Sequence, residues 1–84
     1  MLFDIKQIHL SETGTFYPNT TVNVRTYPST SGTLIAQYTS GESVVYDSYI
    51  INEGYIWLSY ISYSGSRRYL AWRVQNGETF GYIV

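Results

Sequence analysis

Apolar and polar residues alternate along this chain with a period of two, and no segment carries the 3.6-residue apolar spacing of an amphipathic helix. Valine, isoleucine, threonine and tyrosine fill the alternating runs, and all four favour strands. Seven turn signals punctuate them: Ser11 to Gly14, Tyr17 to Thr20, Tyr27 to Gly32, Ser40 to Glu42, Asn52 to Gly54, Ser64 to Ser66 and Asn76 to Glu78. This spacing predicts short antiparallel strands near 5–10, 14–17, 22–26, 33–38, 43–50, 55–62, 67–73 and 79–83. The run at 55–61 is the clearest. Period two places Ile56, Leu58 and Tyr60 on one face, with Tyr55, Trp57 and Ser59 on the other. Bulk on both faces means that both are covered or that one holds a ligand. Ser64-Gly65-Ser66 reads as a tight hairpin between 55–62 and 67–73.

A chain of 84 residues makes one domain, and short strands in so small a unit must close on themselves to hide their edges. The expected fold is all-β: a small, partly open barrel of about seven to eight antiparallel strands. There is no cysteine, so the core and backbone pairing carry the stability without a disulfide or thiolate metal site. No apolar run approaches the ~20 residues of a membrane-spanning helix. Met1 is followed by Leu2, Phe3 and Asp4, which is not the start of a Sec-type signal. The formal net charge of −1 lacks the basic excess that nucleic-acid binding needs. Arg67 and Arg68 form a local basic pair, read as a solvated loop.

Catalytic chemistry is hard to assemble from these residues. His9 is the single histidine, with no nucleophile elbow or oxyanion-hole pattern to serve. The six acidic residues are scattered singly, so neither a metal site nor a paired-carboxylate site is singled out, and no cofactor is expected. The aromatic residues point elsewhere. Ten tyrosines cannot all be core in a chain of this length, and exposed aromatics supply affinity in binding modules. Residues 54–72 alone hold Tyr55, Trp57, Tyr60, Tyr63, Tyr69 and Trp72. The surface is built to hold something.

The order of Phe16 to Thr20, Val24-Arg25, Tyr38 to Glu42, Val45-Tyr46-Asp47, Gly54 to Trp57, Tyr60, Ser64-Gly65, Arg67-Arg68-Tyr69-Leu70 and Gly81 resembles the bacterial SH3-type (SH3b) cell-wall-binding domain. The nearest branch is that of lysostaphin-like peptidases and many phage endolysins, and the resemblance runs from about Leu10 to Val84. It implies a partly open SH3-like barrel without catalysis of its own. Such a barrel binds stem or cross-bridge peptide of Gram-positive peptidoglycan and targets a separate hydrolase domain. It also implies synthesis in a host cytoplasm without a Sec signal, and action at the wall. The implied ligand contacts are Tyr69, Tyr49, Ser48, His9, Gln7, Asn23 and Arg25, with Tyr46 and Tyr63 as outer candidates and Trp57 as packing or groove floor. The alternative is an SH3-like interaction module that binds an extended peptide.

Two positions depart from the polyglycine-binding pattern. Ser48 stands after Tyr46-Asp47 where those relatives carry an acid, and Lys6-Gln7-Ile8-His9 replaces their Gly-Thr-Leu-Tyr. The resemblance therefore implies a cross-bridge other than pentaglycine, with alanine or other short residues. Residues 1–5 are read as a linker or interface segment. Met1 reads either as a start codon added to an excised domain or as an internal start, and with the latter Leu2, Phe3 and Ile5 would support homo-oligomers.

Overall fold

The computed structural model describes residues 9–84, which form seven strands: β1 (Leu10–Pro18), β2 (Val22–Arg25), β3 (Leu34–Tyr38), β4 (Val44–Asn52), β5 (Tyr55–Ile61), β6 (Arg67–Val74) and β7 (Gly81–Ile83). All pairings are antiparallel, in one sheet of order β3-β2-β6-β5-β4-β1-β7. The end strands β3 and β7 do not pair with each other, so the SH3-like barrel stays partly open. Six of the seven turn signals fall in the six connections.

The seventh does not. Ser11 to Gly14, read as a turn between two strands, lies within β1, where the pairing with β4 slips between Ser11 and Gly14. Such a bulge bends a strand without ending it. Gly14 is required there, since a Cβ at this position would sit 2.6 Å from the Tyr46 hydroxyl. The part of the expected 5–10 strand before His9, and the expected segment 1–5, lie outside the described residues. Ser64-Gly65-Ser66 also differs from expectation: Ile61 pairs with Arg67, leaving a five-residue loop. Gly65 turns that loop at a φ of 87°, and its N–H donates to the Ser62 carbonyl.

The core gathers Phe16, Val22, Val24, Val44, Tyr46, Leu58, Tyr60 and Leu70. A bulge on β6 at Trp72 shifts its pairing with β5 between Ile56 and Trp57, while alternation holds along β5. Leu58 and Tyr60 face the core as expected, while Ile56 is only half-buried. Trp57, Ile50 and Ser59 are buried on the opposite side of the sheet. Both faces of β5 are covered, each by different means.

That second layer depends on the 26–33 loop. Pro28 is fully buried, and its carbonyl accepts from Asn52 Nδ2 at 2.8 Å. Trp57 Nε1 donates to the Asn52 carbonyl at 3.0 Å. Glu53 and Gly54 make the two-residue β4–β5 turn, both at positive φ (55° and 77°), as a type I′ hairpin requires. This unusual backbone aims the Glu53 carboxylate at the loop. It accepts from the Ser29 hydroxyl at 2.6 Å, the Thr30 N–H at 2.9 Å and the Thr30 hydroxyl at 3.1 Å.

These bonds, led by that from Ser29, favour the charged carboxylate and hold its pKa below the usual value. A depressed folded pKa stabilises the fold fully above the unfolded value, and the contribution fades as pH falls through the folded one. Urea unfolding followed by tryptophan fluorescence should therefore show stability falling as the pH drops below about 4.3. Glu53→Gln should lower stability at neutral pH and flatten that acid limb. An unchanged acid limb in the variant would remove Glu53 as the loop's tether.

Candidate functional site

Antiparallel register decides what reaches the outer face. Ser11, Ser48, Ser59, Tyr69 and Arg25 are successive partners across β1, β4, β5, β6 and β2. Direct partners share a face. The adjacent rung, with Tyr49, Leu58, Leu70 and Val24, turns to the core. Three serines in a row leave a shallow trough on the outer face, because their side chains are short. Tyr69 stands beside it.

Two hollows open on this face, one on each side of Tyr69. The first, about 180 Å³, is lined by Asn23, Arg25, Tyr55, Trp57, Ala71 and Phe80 among others. Trp57 is only 2% exposed and forms its floor. Tyr55 meets the Trp57 ring edge-on at 5.8 Å between centroids and lies 6.4 Å from that of Phe80. Arg25 Nη1 donates to the Gly32 carbonyl at 2.9 Å, and Asn23 Oδ1 accepts from Gln37 at 2.9 Å. The polar rim is thus held in place over an aromatic floor.

The second hollow, about 340 Å³, is lined by His9, Ser11, Asp47, Ser48 and Arg67. Arg67 organises it. Nη1 and Nη2 donate to the two Asp47 carboxylate oxygens at 2.7 and 3.1 Å, a bidentate pair. Nη1 also reaches the Ser59 hydroxyl at 2.9 Å and that of Ser48 at 3.5 Å. The arginine holds the Asp47 pKa below the usual carboxylate range, and Asp47 in turn raises that of Arg67. The pair neutralises itself, so the trough carries little net charge; Ser48 and Ser59 are buried against Arg67, and Ser11 is the exposed hydroxyl of the three. At the boundary between the hollows, the Tyr69 hydroxyl lies 3.4 Å from His9 Nε2, with the rings 6.0 Å apart. This face can grip an extended, largely neutral chain by stacking and by hydrogen bonds.

The residues named from sequence separate in space. His9, Asn23, Arg25, Ser48 and Tyr69 gather on this face. Tyr49 packs against the core, facing away from it. Tyr46 is corrected from an outer position to the core. It is 1% exposed, and its hydroxyl donates to Glu12 Oε2 at 2.7 Å. Burial, aided by the Glu12 carboxylate, pushes that hydroxyl's pKa up. Tyr63 is fully exposed on the 62–66 loop, beside a different groove. Gln7 lies outside the described residues.

The basic pair is corrected too. Arg67 and Arg68 open strand β6, and Arg67 is bound to two neighbouring strands. Sequence reasoning also passed over Tyr55, Ala71 and Phe80 at the first hollow. Period two from Tyr69 to Ala71 would have found one of them. No spacing rule brings Phe80 there, since it arrives on the β6–β7 connection.

Both ends of the Arg67–Asp47 pair are partly exposed, at 33% and 47% of their side chains, so solvent screens it. Arg67→Gln should cost about 1 kcal/mol or less in urea unfolding, with a smaller loss at high salt. Unchanged stability at low salt would show that the pair does not hold the trough together.

The sequence profile described as "Bacterial SH3 domain" matches residues 8–71. Lysostaphin of Staphylococcus simulans is 33% identical over 73 residues, which cover 86% of this chain and 15% of that protein. The chain therefore spans a small part of that relative's length. The solved lysostaphin SH3b domain in its P4-G5 complex superposes with a TM-score of 0.88 at 28% identity, covering 100% of this chain and 98% of that one. The cell wall targeting domain of the peptidoglycan hydrolase ALE-1 gives 0.86 at 27% identity, covering 100% and 92%. With its open seven-stranded barrel and a profile match over most of its length, the chain belongs to the bacterial SH3 domain family.

Proposed function

We propose that this chain is a non-catalytic recognition module that brings a peptidoglycan hydrolase to the Gram-positive cell wall by binding stem or cross-bridge peptide. The observation that carries this reading is the outer face itself, with two hollows on either side of Tyr69 and a self-neutralised trough between Ser11 and Arg25. A short peptide of small residues presents a backbone rich in donors and acceptors and little side-chain bulk. The Ser11 hydroxyl, His9 and Tyr69 match its polar groups, while the Trp57 floor takes an apolar portion. Similarity to a lysostaphin SH3b domain solved in a P4-G5 complex, and to the wall-targeting domain of ALE-1, supports the reading. The partner in the same pathway of action is a hydrolase catalytic domain, linked or separate.

Within this reading the ligand is a cross-bridge other than pentaglycine. Ser48 supplies a hydroxyl where an acid would bind a ligand N–H more strongly. His9 also narrows the space beside Tyr69 less than a tyrosine would. Labelled domain should therefore bind enterococcal or streptococcal cells in preference to staphylococcal ones. Preference for staphylococcal cells would contradict this choice of ligand and leave the wall-binding role standing.

Tyr69→Ala should weaken binding to purified walls by about 2 kcal/mol or more, as expected for an aromatic anchor between two subsites. The sedimentation assay needs a parallel circular dichroism spectrum to show an intact fold. Full binding by a folded Tyr69→Ala variant would remove this face from wall recognition.

A further inference from the structure

A second surface lies away from the Tyr69 face. Strand β3 ends the sheet, and among the described residues it pairs only with β2, so its other edge offers free N–H and C=O groups. Its sequence is Leu34-Ile35-Ala36-Gln37-Tyr38. Nothing in it discourages pairing: no charge, no proline and no glycine, while Leu34 and Ile35 are 50% and 41% exposed. Beside this edge runs a groove of about 460 Å³, where Ile35, Tyr38, Val45, Tyr60, Ile61 and Arg68 meet. Val45 and Ile61 are 64% and 51% exposed, so apolar surface continues outward from the groove.

Arg68 gives the groove its charge. Among the described residues its guanidinium makes one hydrogen bond, from Nη1 to the Arg67 carbonyl at 3.3 Å. The ion pair belongs to Arg67, and Arg68 has no carboxylate partner among the described residues. The nearby phenol of Tyr60 is in edge contact with Tyr38 at 6.3 Å, and burial pushes its pKa up. A cation facing an apolar groove next to a free strand edge defines a complement: an extended chain with apolar side chains flanking an acid.

We infer that the free edge of β3 binds an extended segment of a partner polypeptide as an added strand, with an acidic side chain of that segment paired to Arg68. Main-chain bonds to β3 would supply affinity, and the groove would read alternate side chains. This surface is independent of the wall-binding face, so one chain could hold wall and partner together.

The test uses the full chain and a blocked L-heptapeptide, Thr-Val-Thr-Glu-Thr-Val-Thr, whose alternate residues present Val, Glu and Val to one side. In an NMR titration, amides of 34–38 should shift saturably and exchange more slowly with solvent. Replacing the peptide's Glu with Gln, or Arg68→Gln in the protein, should weaken binding at least about fivefold. A peptide N-methylated along one edge should not bind, while wall binding by Arg68→Gln should be unchanged. Equal affinity for the Glu and Gln peptides, or shifts confined to the Tyr69 face, would overturn the inference. So would concentration-dependent shifts at 34–38 without peptide, which would assign the edge to a second copy of this chain.

Discussion

The register of β4, β5, β6 and β2 is the constraint on which the rest of the structure rests. Leu58 pairs with Tyr49 on one side and Leu70 on the other, and Leu70 pairs with Val24. One residue along, Ser59 pairs with Ser48 and Tyr69, and Tyr69 with Arg25. A slip by a single residue would exchange the rungs, sending leucines to water and serine and arginine into the core. The same pairing therefore secures the core and displays the polar face. In a domain without disulfides, burial of Leu58, Leu70 and Val24 is what keeps that face in place.

Polar groups on the outer face are ordered by neighbours from other strands. Arg67 crosses from β6 to Asp47 on β4 and Ser59 on β5, fixing a trough that short serine side chains would leave undefined. Glu53 does the equivalent work at the other end, tying the 26–33 loop to the hairpin above Trp57. Each uses charge-assisted bonds where apolar packing is thin. Such preorganisation reduces the entropy lost when a ligand binds.

Much of the fold was legible in the sequence. Period-two runs and turn residues located the strands, because hairpins carry strong local signals at Asn52 to Gly54 and Ser64 to Ser66. The bulges were not legible. Gly14 reads as a turn residue, and only the Tyr46 ring above it shows why the strand bends there without stopping. At the site, Tyr69, Arg25, Asn23 and Ser48 share the outer face. Tyr46 and Tyr49 do not, and the reason lies in the sheet. Tyr46 belongs to the core and Tyr49 packs on it, so the inward side of β4 changes within three residues, opposite the β1 bulge. Local alternation cannot anticipate such a change. The role of Arg67 was also hidden, since a dipeptide of arginines looks the same in a loop and across a trough.

The central claim is that the Ser11-to-Arg25 rung, with Tyr69 at its middle, is the ligand face. Titration with muropeptides of defined cross-bridge, followed by backbone amide shifts, tests it most directly. The account predicts saturable shifts at Ser48, Ser59, Tyr69 and Arg25, with little change along β3 or at Tyr63. Saturable shifts elsewhere, with that rung silent, would contradict it.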